Sequence, residues 1–177
     1  MSSVVISGDT SGSITLQAPA VAGSNTFTLP AATGTVMVSG NMPAFSAYLS
    51  SSQTISGSTQ SKITFQTKEF DTANAYDNTT NYRFTPQVAG YYQVNSGVAY
   101  PGSAVELVVS IYKNGSQYKY GQDVQGTNTW STTVSAIVYL NGSTDYIEIY
   151  AYQSGSSRSP STGVTATYFQ SAMIRSA

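Results

Sequence analysis

One long stretch of alternating side chains limits the folds available to this chain more than any other feature. It runs from Gly90 to Tyr100, and five residues separate Gly90 from Phe84 before it. Alternation over this length places every second side chain on the same side of a strand. We therefore expect a β-strand with one face in a hydrophobic core. The residues that share this face are Tyr92, Val94, Ser96, Val98 and Tyr100.

The same period of two recurs along most of residues 44–177, and no helical pattern is evident. Asn114-Gly115 and Asn141-Gly142 favour tight turns between antiparallel strands. The sequence therefore predicts an all-β fold, a jelly-roll sandwich of about ten antiparallel strands preceded by a short β-rich arm. The predicted strands are 44–49, 62–70, 81–85, 90–100, 104–113, 116–122, 130–140, 145–152 and 164–175.

Two predicted strands, 104–113 and 145–152, have one aliphatic side, which suits the inside of a sandwich. The other side of strand 145–152 carries Tyr146 and Tyr150. Tyrosine is enriched where subunits meet, because it buries a large area and keeps a polar tip. We therefore predict that both tyrosines lie in a subunit interface. The aliphatic residues are Val105, Leu107, Val109, Ile111, Ile147, Ile149 and Ala151.

The composition excludes several classes of function. The chain has 177 residues but no cysteine and no histidine, which excludes disulfides, thiolate metal sites and histidine-based catalysis. Only 8% of the residues are charged and the net charge is -1, which argues against nucleic-acid binding. Such low charge favours an oligomer, because a monomer rich in β-strands would aggregate through its edges. No run of 18 apolar residues and no secretory signal is present, so we expect no membrane insertion.

The residues around the long strand also match a known motif. Phe84, Gly90, Tyr92 and Val94 fill the spacing Phe, five residues, Gly, one residue, aromatic, one residue, apolar. This spacing resembles the motif of the complement C1q globular head, a trimeric jelly roll related to tumour necrosis factor.

The resemblance extends to both ends of the predicted head. Residues 43–55 are similar to the first strand of such heads, and residues 167–174 are similar to the last, so the resemblance covers residues 43–177. It implies a homotrimer whose last strand runs near the trimer axis. On this basis we expect Tyr168 and Phe169 to contribute to the trimer interface.

Residues 1–42 differ in character and form the predicted arm. Ile14 and Leu16 recur thirteen residues later as Phe27 and Leu29, in the near-repeat Ile-Thr-Leu and Phe-Thr-Leu. Short strands separated by Pro and Gly bury too little area to stand alone, so these four apolar side chains need a cover. The segment resembles segments that recur in tailed-phage virion proteins, where they precede or connect fibre and knob domains. We therefore expect the four residues to attach the chain to the virion.

A few residues are candidates for binding chemistry. Trp130, the only tryptophan, could form a sugar-stacking platform with Tyr118 and Tyr120, while the alternative for Trp130 is an anchor in the core or at a subunit contact. Asp77 and Asp123 are candidate calcium ligands, because heads of the resembled family often bind calcium; the alternative is that they serve turns. No residue is predicted to be catalytic, and no cofactor other than calcium is expected.

These observations predict a non-enzymatic structural protein of a tailed phage. In this interpretation residues 43–177 form a homotrimeric knob that decorates the capsid exterior as a head decoration or head-fibre protein. Residues 1–42 anchor it to the major capsid protein or to another virion protein. One alternative is a receptor-binding tip of a tail fibre that recognises a host-surface glycan. The other is a glycan depolymerase, for which the sequence lacks catalytic residues.

Overall fold

The computed structural model describes residues 3–29, 31, 33–34, 36–102, 106–125 and 131–177. The chain divides into two compact units, Met1–Gly34 and Thr35–Ala177, to which we refer as the arm and the head. The predicted arm extended to residue 42, and Ser39–Asn41 forms a short 3-10 helix within the head unit. Within the described residues, the structure contains no helix suited to spanning a membrane.

The arm contains one hairpin. Strand β1 (Ser3–Ser7) pairs antiparallel with β2 (Ser13–Gln17), and every residue of both strands is exposed. No alternating pattern predicted β1, because its apolar residues are three in a row. Residues 27–29, which were expected to form a strand, have no regular secondary structure, so that prediction is wrong.

The head is a sandwich of two antiparallel sheets. Its described strands are β3 (Ala44–Tyr48), β4 (Ser61–Lys62), β5 (Thr67–Asp71), β6 (Tyr76–Asp77), β7 (Arg83–Phe84), β8 (Ala89–Ala99), β9 (Glu106–Lys113), β10 (Ser116–Gln125), β11 (Ser131–Asn141), β12 (Ile147–Gln153) and β13 (Tyr168–Ser176). The six-stranded sheet has the order β10-β9-β12-β7-β6, with β4 also paired to β12. The five-stranded sheet has the order β11-β8-β13-β3-β5. The predicted all-β sandwich is therefore confirmed.

The core lies between the two sheets and is built largely from aromatic rings. Phe45 of β3 stacks on Tyr76 and Phe84, with ring centroids 4.8 and 4.5 Å away. Phe169 of β13 meets Phe45 edge-on at 4.8 Å, and Tyr92 of β8 lies 5.6 Å from Phe84. Because the five rings come from both sheets, their packing holds the two layers together.

The predicted inward faces are confirmed. Strand β8 is the expected half-buried strand, and every residue predicted for its inner face is buried. The aliphatic sides of β9 and β12 also face the core, while Val105 lies outside the described residues. The residues of these three faces that are fully or almost fully buried are Tyr92, Val94, Ser96, Val98, Tyr100, Leu107, Val109, Ile111, Ile147, Ile149 and Ala151.

Asn114 and Gly115 form the two-residue turn between β9 and β10. Lys113 pairs with Ser116 across the turn, and the φ angles of Asn114 and Gly115 are 52° and 78°. Positive φ at both central positions characterises the hairpin turn that matches the twist of antiparallel strands, and Asn and Gly tolerate it. The predicted turn is therefore confirmed.

The prediction of one strand over residues 62–70 is wrong. The chain there forms β4 and β5, which belong to different sheets, so residues 63–66 cross from one layer to the other. Ile63 and Phe65 are fully buried in this crossing. Their burial preserves the alternating pattern although the hydrogen-bonding partners change.

Candidate functional site

The side of the five-stranded sheet that faces away from the core carries large apolar side chains. Ile137 and Tyr139 project from β11, and Tyr91 projects from β8 beside them. Their exposed fractions are 53%, 42% and 41%, and the rings of Tyr91 and Tyr139 lie 5.4 Å apart. We call this outward side of the sheet, which also carries Tyr168 of β13 further along, opposite Gly97, the outer patch. Exposed apolar side chains that lie beside one another, as Tyr91, Tyr139 and Ile137 do, are typical of a protein interface.

Two adjacent residues that were predicted for the trimer interface face opposite ways. Tyr168 lies on the outer patch, where its ring packs over Gly97 so closely that a Cβ there would lie 2.8 Å from a ring carbon. Phe169 is fully buried in the core, against Phe45 and with its ring 5.6 Å from that of Phe65. The interface prediction for Phe169 is therefore wrong, because side chains alternate along a strand and only one of two neighbours can face outward.

Tyr146 and Tyr150, the other predicted interface residues, lie on the six-stranded side of the sandwich. Tyr150 stacks on Tyr112 with ring centroids 3.9 Å apart, and the Arg83 guanidinium lies 4.2 Å from the centre of the Tyr146 ring. Burial, followed by the charge of Glu148, raises the pKa of Tyr150. In a cyclic trimer each subunit contributes two different surfaces to its contacts, so an interface at the outer patch requires a second surface elsewhere on the head. An interface role for Tyr146 and Tyr150 therefore stays a prediction.

A partly buried ion pair lies beside these tyrosines. The Glu148 carboxylate of β12 accepts a hydrogen bond from Lys62 Nζ at 2.6 Å. The same ammonium group donates to the backbone carbonyl of Asn81 at 2.9 Å. Glu148 therefore helps to hold β4 against β12.

The hairpin of the arm is amphipathic. Val4 opposes Leu16 and Ile6 opposes Ile14, so these four aliphatic side chains share one side of the hairpin. Each of them is more than half exposed. We call this surface the arm face. Two of the residues predicted for virion attachment, Ile14 and Leu16, belong to it.

The other two predicted attachment residues follow the hairpin. Phe27 and Leu29 are 81% and 62% exposed. An open groove of about 470 Å³ lies between Phe27 and the hairpin residues Val4 and Leu16. The arm carries a single charged side chain, Asp9, so its surface is almost entirely apolar or neutral polar.

The Asp77 carboxylate organises its own loop. Its Oδ1 accepts hydrogen bonds from the backbone N–H groups of Thr79 and Thr80 and from the Thr79 hydroxyl, at 2.9 to 3.1 Å. Its Oδ2 accepts from the backbone and side-chain N–H groups of Asn81. These hydrogen bonds, from Thr80 first, hold the pKa of Asp77 well below its usual range. The calcium prediction for Asp77 is therefore corrected, because both oxygens are already used within the turn.

The remaining binding candidates that the structure describes, Tyr118, Tyr120 and Asp123, lie on β10. Tyr118 and Tyr120 are both well exposed, and partial desolvation of its hydroxyl, followed by the charge of Asp123, raises the pKa of Tyr120. Trp130 lies outside the described residues, so the predicted sugar platform stays a prediction. In the described part of the chain, no three acidic side chains come together in a way that would hold a metal ion. Calcium at Asp123 likewise stays a prediction.

A polar cleft that no sequence pattern predicts lies at the edge of the head formed by β5, β6 and β7. Its volume is about 460 Å³, and Lys68, Arg83 and several amide and hydroxyl side chains line it. Lys68 belongs to the five-stranded sheet and Arg83 to the six-stranded one. Because the two sheets meet only in the folded sandwich, sequence spacing does not reveal the cleft. The small number of cations, seven in the chain, is the one sequence signal that could have singled out these residues.

Comparison with known proteins identifies the fold. No protein-family model matches the sequence, and no curated protein matches it significantly. The globular domain of zebrafish complement 1qA protein matches with a TM-score of 0.57 and 17% identity, over 76% of this chain and 99% of that chain. Eiger TNF from S. frugiperda matches with a TM-score of 0.59 and 10% identity, over 77% and 93%.

A vertex protein has the same fold. The PRD1 vertex protein P5 matches with a TM-score of 0.58 and 13% identity, over 75% of this chain and 97% of that chain. The chain therefore contains the jelly roll found in C1q and TNF proteins, as predicted. At these identities the similarity concerns the fold alone.

Proposed function

We propose that the chain is a non-enzymatic structural protein of a phage virion, a homotrimeric knob that decorates the capsid surface and is anchored by its arm. The jelly roll shared with the vertex protein P5 of phage PRD1 supports a virion role. The observation that carries the proposal is the arm face, an apolar surface on a unit whose described residues are all exposed.

The arm face needs a partner for energetic reasons. A two-stranded hairpin is marginally stable at best in water, and all residues of β1 and β2 are exposed. Burying a Val, Leu or Ile side chain fully contributes about 1.5 to 3 kcal/mol, so covering the four residues of the arm face would stabilise an attached state by several kcal/mol. A surface of the capsid is the partner that we propose for it.

The outer patch supports the homotrimer. Its exposed aromatic and aliphatic side chains lie on a chain with very low charge, a combination that a soluble monomer rarely shows. A trimer that buries this patch removes the apolar surface from water. It also presents three arms to the particle at once, and such multivalency raises the overall affinity without any new contact.

The charged side chains support a non-enzymatic role. Asp71, Asp145 and Glu148 each form an ion pair with a lysine, at 3.1, 2.8 and 2.6 Å. Glycoside hydrolysis needs two carboxylates that face each other across a cleft, and histidine, the most frequent general base, is absent from the sequence.

The test compares charges that are introduced on the two opposite sides of the hairpin. The double variant Ile14→Asp/Leu16→Asp places two charges on the arm face, and Ser13→Asp/Thr15→Asp places two on the opposite side of the same strand. Each full-length protein is added to particles that lack the wild-type chain, and the copies bound per particle are counted by quantitative mass spectrometry.

The two variants should behave differently. We expect the arm-face variant to lose binding, because burying an unpaired charge in an apolar contact is costly, and the control variant to bind nearly as well as wild type. Full occupancy by the arm-face variant would contradict anchoring by the arm. Failure of the wild-type protein to bind any such particle would contradict the virion role itself.

A further inference from the structure

The polar cleft has the lining of a small-molecule site. It lies at an edge of the sandwich, beside the β6–β7 pair and away from the outer patch. Amides and hydroxyls supply both donors and acceptors, which is the chemistry that exchanges hydrogen bonds with sugar hydroxyls. The uncharged polar side chains that line it are Asn74, Asn78, Thr79, Asn81, Thr85 and Gln87.

Arg83 is the cation in the cleft lining that has no carboxylate partner among the described residues. Its guanidinium carbon lies 4.2 Å from the centre of the Tyr146 ring, a cation–π contact that helps to position the end of the side chain. Among the described residues Arg83 takes part in no ion pair and donates no side-chain hydrogen bond, whereas Lys62, Lys68 and Lys113 all pair with carboxylates. A guanidinium with free N–H groups is suited to binding a carboxylate through two parallel hydrogen bonds.

The carboxylate already in the cleft does not satisfy Arg83. Asp77 lies opposite Arg83 in the β6–β7 pair, but both of its oxygens accept hydrogen bonds from residues 79–81 of its own loop. Lys68, the other cation of the lining, is engaged by Asp71 at 3.1 Å. An incoming carboxylate would therefore meet one unpartnered cation, Arg83.

The walls of the cleft are held in place before any ligand binds. The Asp77 carboxylate fixes the loop 79–81 on one side. On the other side, Lys68 donates hydrogen bonds to the Asn74 side chain and to the backbone carbonyl of Tyr76, both at 3.3 Å. A site that is ordered in advance loses less entropy when a ligand binds, which favours the binding of a weakly contacting ligand such as a sugar.

We propose that the polar cleft binds a carboxylate-bearing sugar, such as a uronic acid unit of a cell-surface polysaccharide. Arg83 receives the sugar carboxylate, and the surrounding amide and hydroxyl side chains receive the ring hydroxyls. This function goes beyond that of a structural knob and adds recognition of an acidic glycan at a position separate from Tyr118 and Tyr120.

The experiment is a titration of the full-length protein with trigalacturonate, followed by amide NMR. The neutral galactose trimer and inorganic phosphate serve as comparison ligands. We expect trigalacturonate to shift amide signals of residues 74–87 and the neutral trimer to shift them little. Phosphate should bind more weakly than trigalacturonate, because it offers the charge without the hydroxyls.

Variants then test the role of Arg83. We expect Arg83→Gln to weaken trigalacturonate binding about tenfold or more, the loss that accompanies removal of a charge-assisted hydrogen bond. Arg175→Gln, which removes an exposed arginine from β13 of the other sheet, is the matched control and should bind like wild type. The melting temperature of each variant shows whether it is folded.

Several results would overturn the proposal. They are an absence of shifts at residues 74–87 in the wild-type protein, equal binding of the acidic and neutral trimers, phosphate binding as tight as trigalacturonate, and unchanged affinity of folded Arg83→Gln. If Arg83→Gln does not fold, the wild-type comparison of the acidic and neutral trimers decides. None of these measurements depends on attachment to a virion, so their failure is distinguishable from failure of the proposed function.

Discussion

Replacing Phe169 by alanine should destabilise the head far more than replacing its neighbour Tyr168. Phe169 is fully buried, and its ring contacts those of Phe45, Phe65 and Tyr76 at centroid distances of 4.8, 5.6 and 5.8 Å. Truncating a buried Phe costs about 3 to 5 kcal/mol through lost burial and the cavity left behind. Each favourable ring pair adds about 0.5 to 1.5 kcal/mol to what is lost, which favours the upper part of that range.

The assay is unfolding by heat and by urea at one fixed protein concentration, followed by near-ultraviolet circular dichroism. For a domain of this size, about 4 to 5 kcal/mol corresponds to a fall in melting temperature of roughly 8 to 20 °C. Tyr168→Ala leaves the core intact, so its main effect should be weaker association of subunits, measured by sedimentation on dilution.

The comparison of the two neighbours tests the side-chain directions directly. A melting temperature of Phe169→Ala within a few degrees of wild type would mean that the ring is not in the core. An equal loss for Tyr168→Ala and Phe169→Ala in the unfolding assay would mean that the two side chains do not face opposite sides of β13.

Two further predictions concern the acidic residues, namely how Asp77 makes the stability of the head depend on pH and how the head responds to removal of calcium. Because its pKa is lowered in the folded state, its carboxylate stabilises the head above the ordinary carboxyl pKa of about 3.9, and this contribution is lost as the pH falls below that value. Asp77→Ala should therefore cost about 1 kcal/mol at pH 7, and the difference from wild type should shrink in urea titrations run at progressively lower pH; a constant difference would be contrary evidence. Dialysis against a calcium chelator should leave the wild-type melting temperature nearly unchanged, and a fall of many degrees would point to a structural ion near Asp123.

The sequence alone predicts those parts of the fold that local patterns determine. The inner face of β8 follows from a period of two that is unbroken from Gly90 to Tyr100, and the turn at Asn114-Gly115 follows from the backbone freedom of those two residues. The apolar residues of the arm were recognised as lacking a core, and Ile14 and Leu16 lie on one exposed side of the hairpin.

Features that depend on pairing between distant segments were not predictable. Residues 62–70 alternate like one strand, yet the chain changes sheets at Ile63 and Phe65, because each half finds a different partner. The outward residue of β13 depends on its register against β8, which the sequence does not specify, so Phe169 was assigned to the wrong side. The polar cleft brings together Lys68 and Arg83 from different sheets. Their spacing along the chain does not indicate that they line the same cleft.

The mass of the full-length protein in solution tests the central claim most directly, because the outer patch and the three-armed attachment both require a trimer. Sedimentation equilibrium at micromolar concentration should give a mass close to three times that of the 18.7 kDa chain. A stable, soluble monomer under these conditions would contradict the account, since the apolar side chains of the outer patch would then remain exposed to water without a partner.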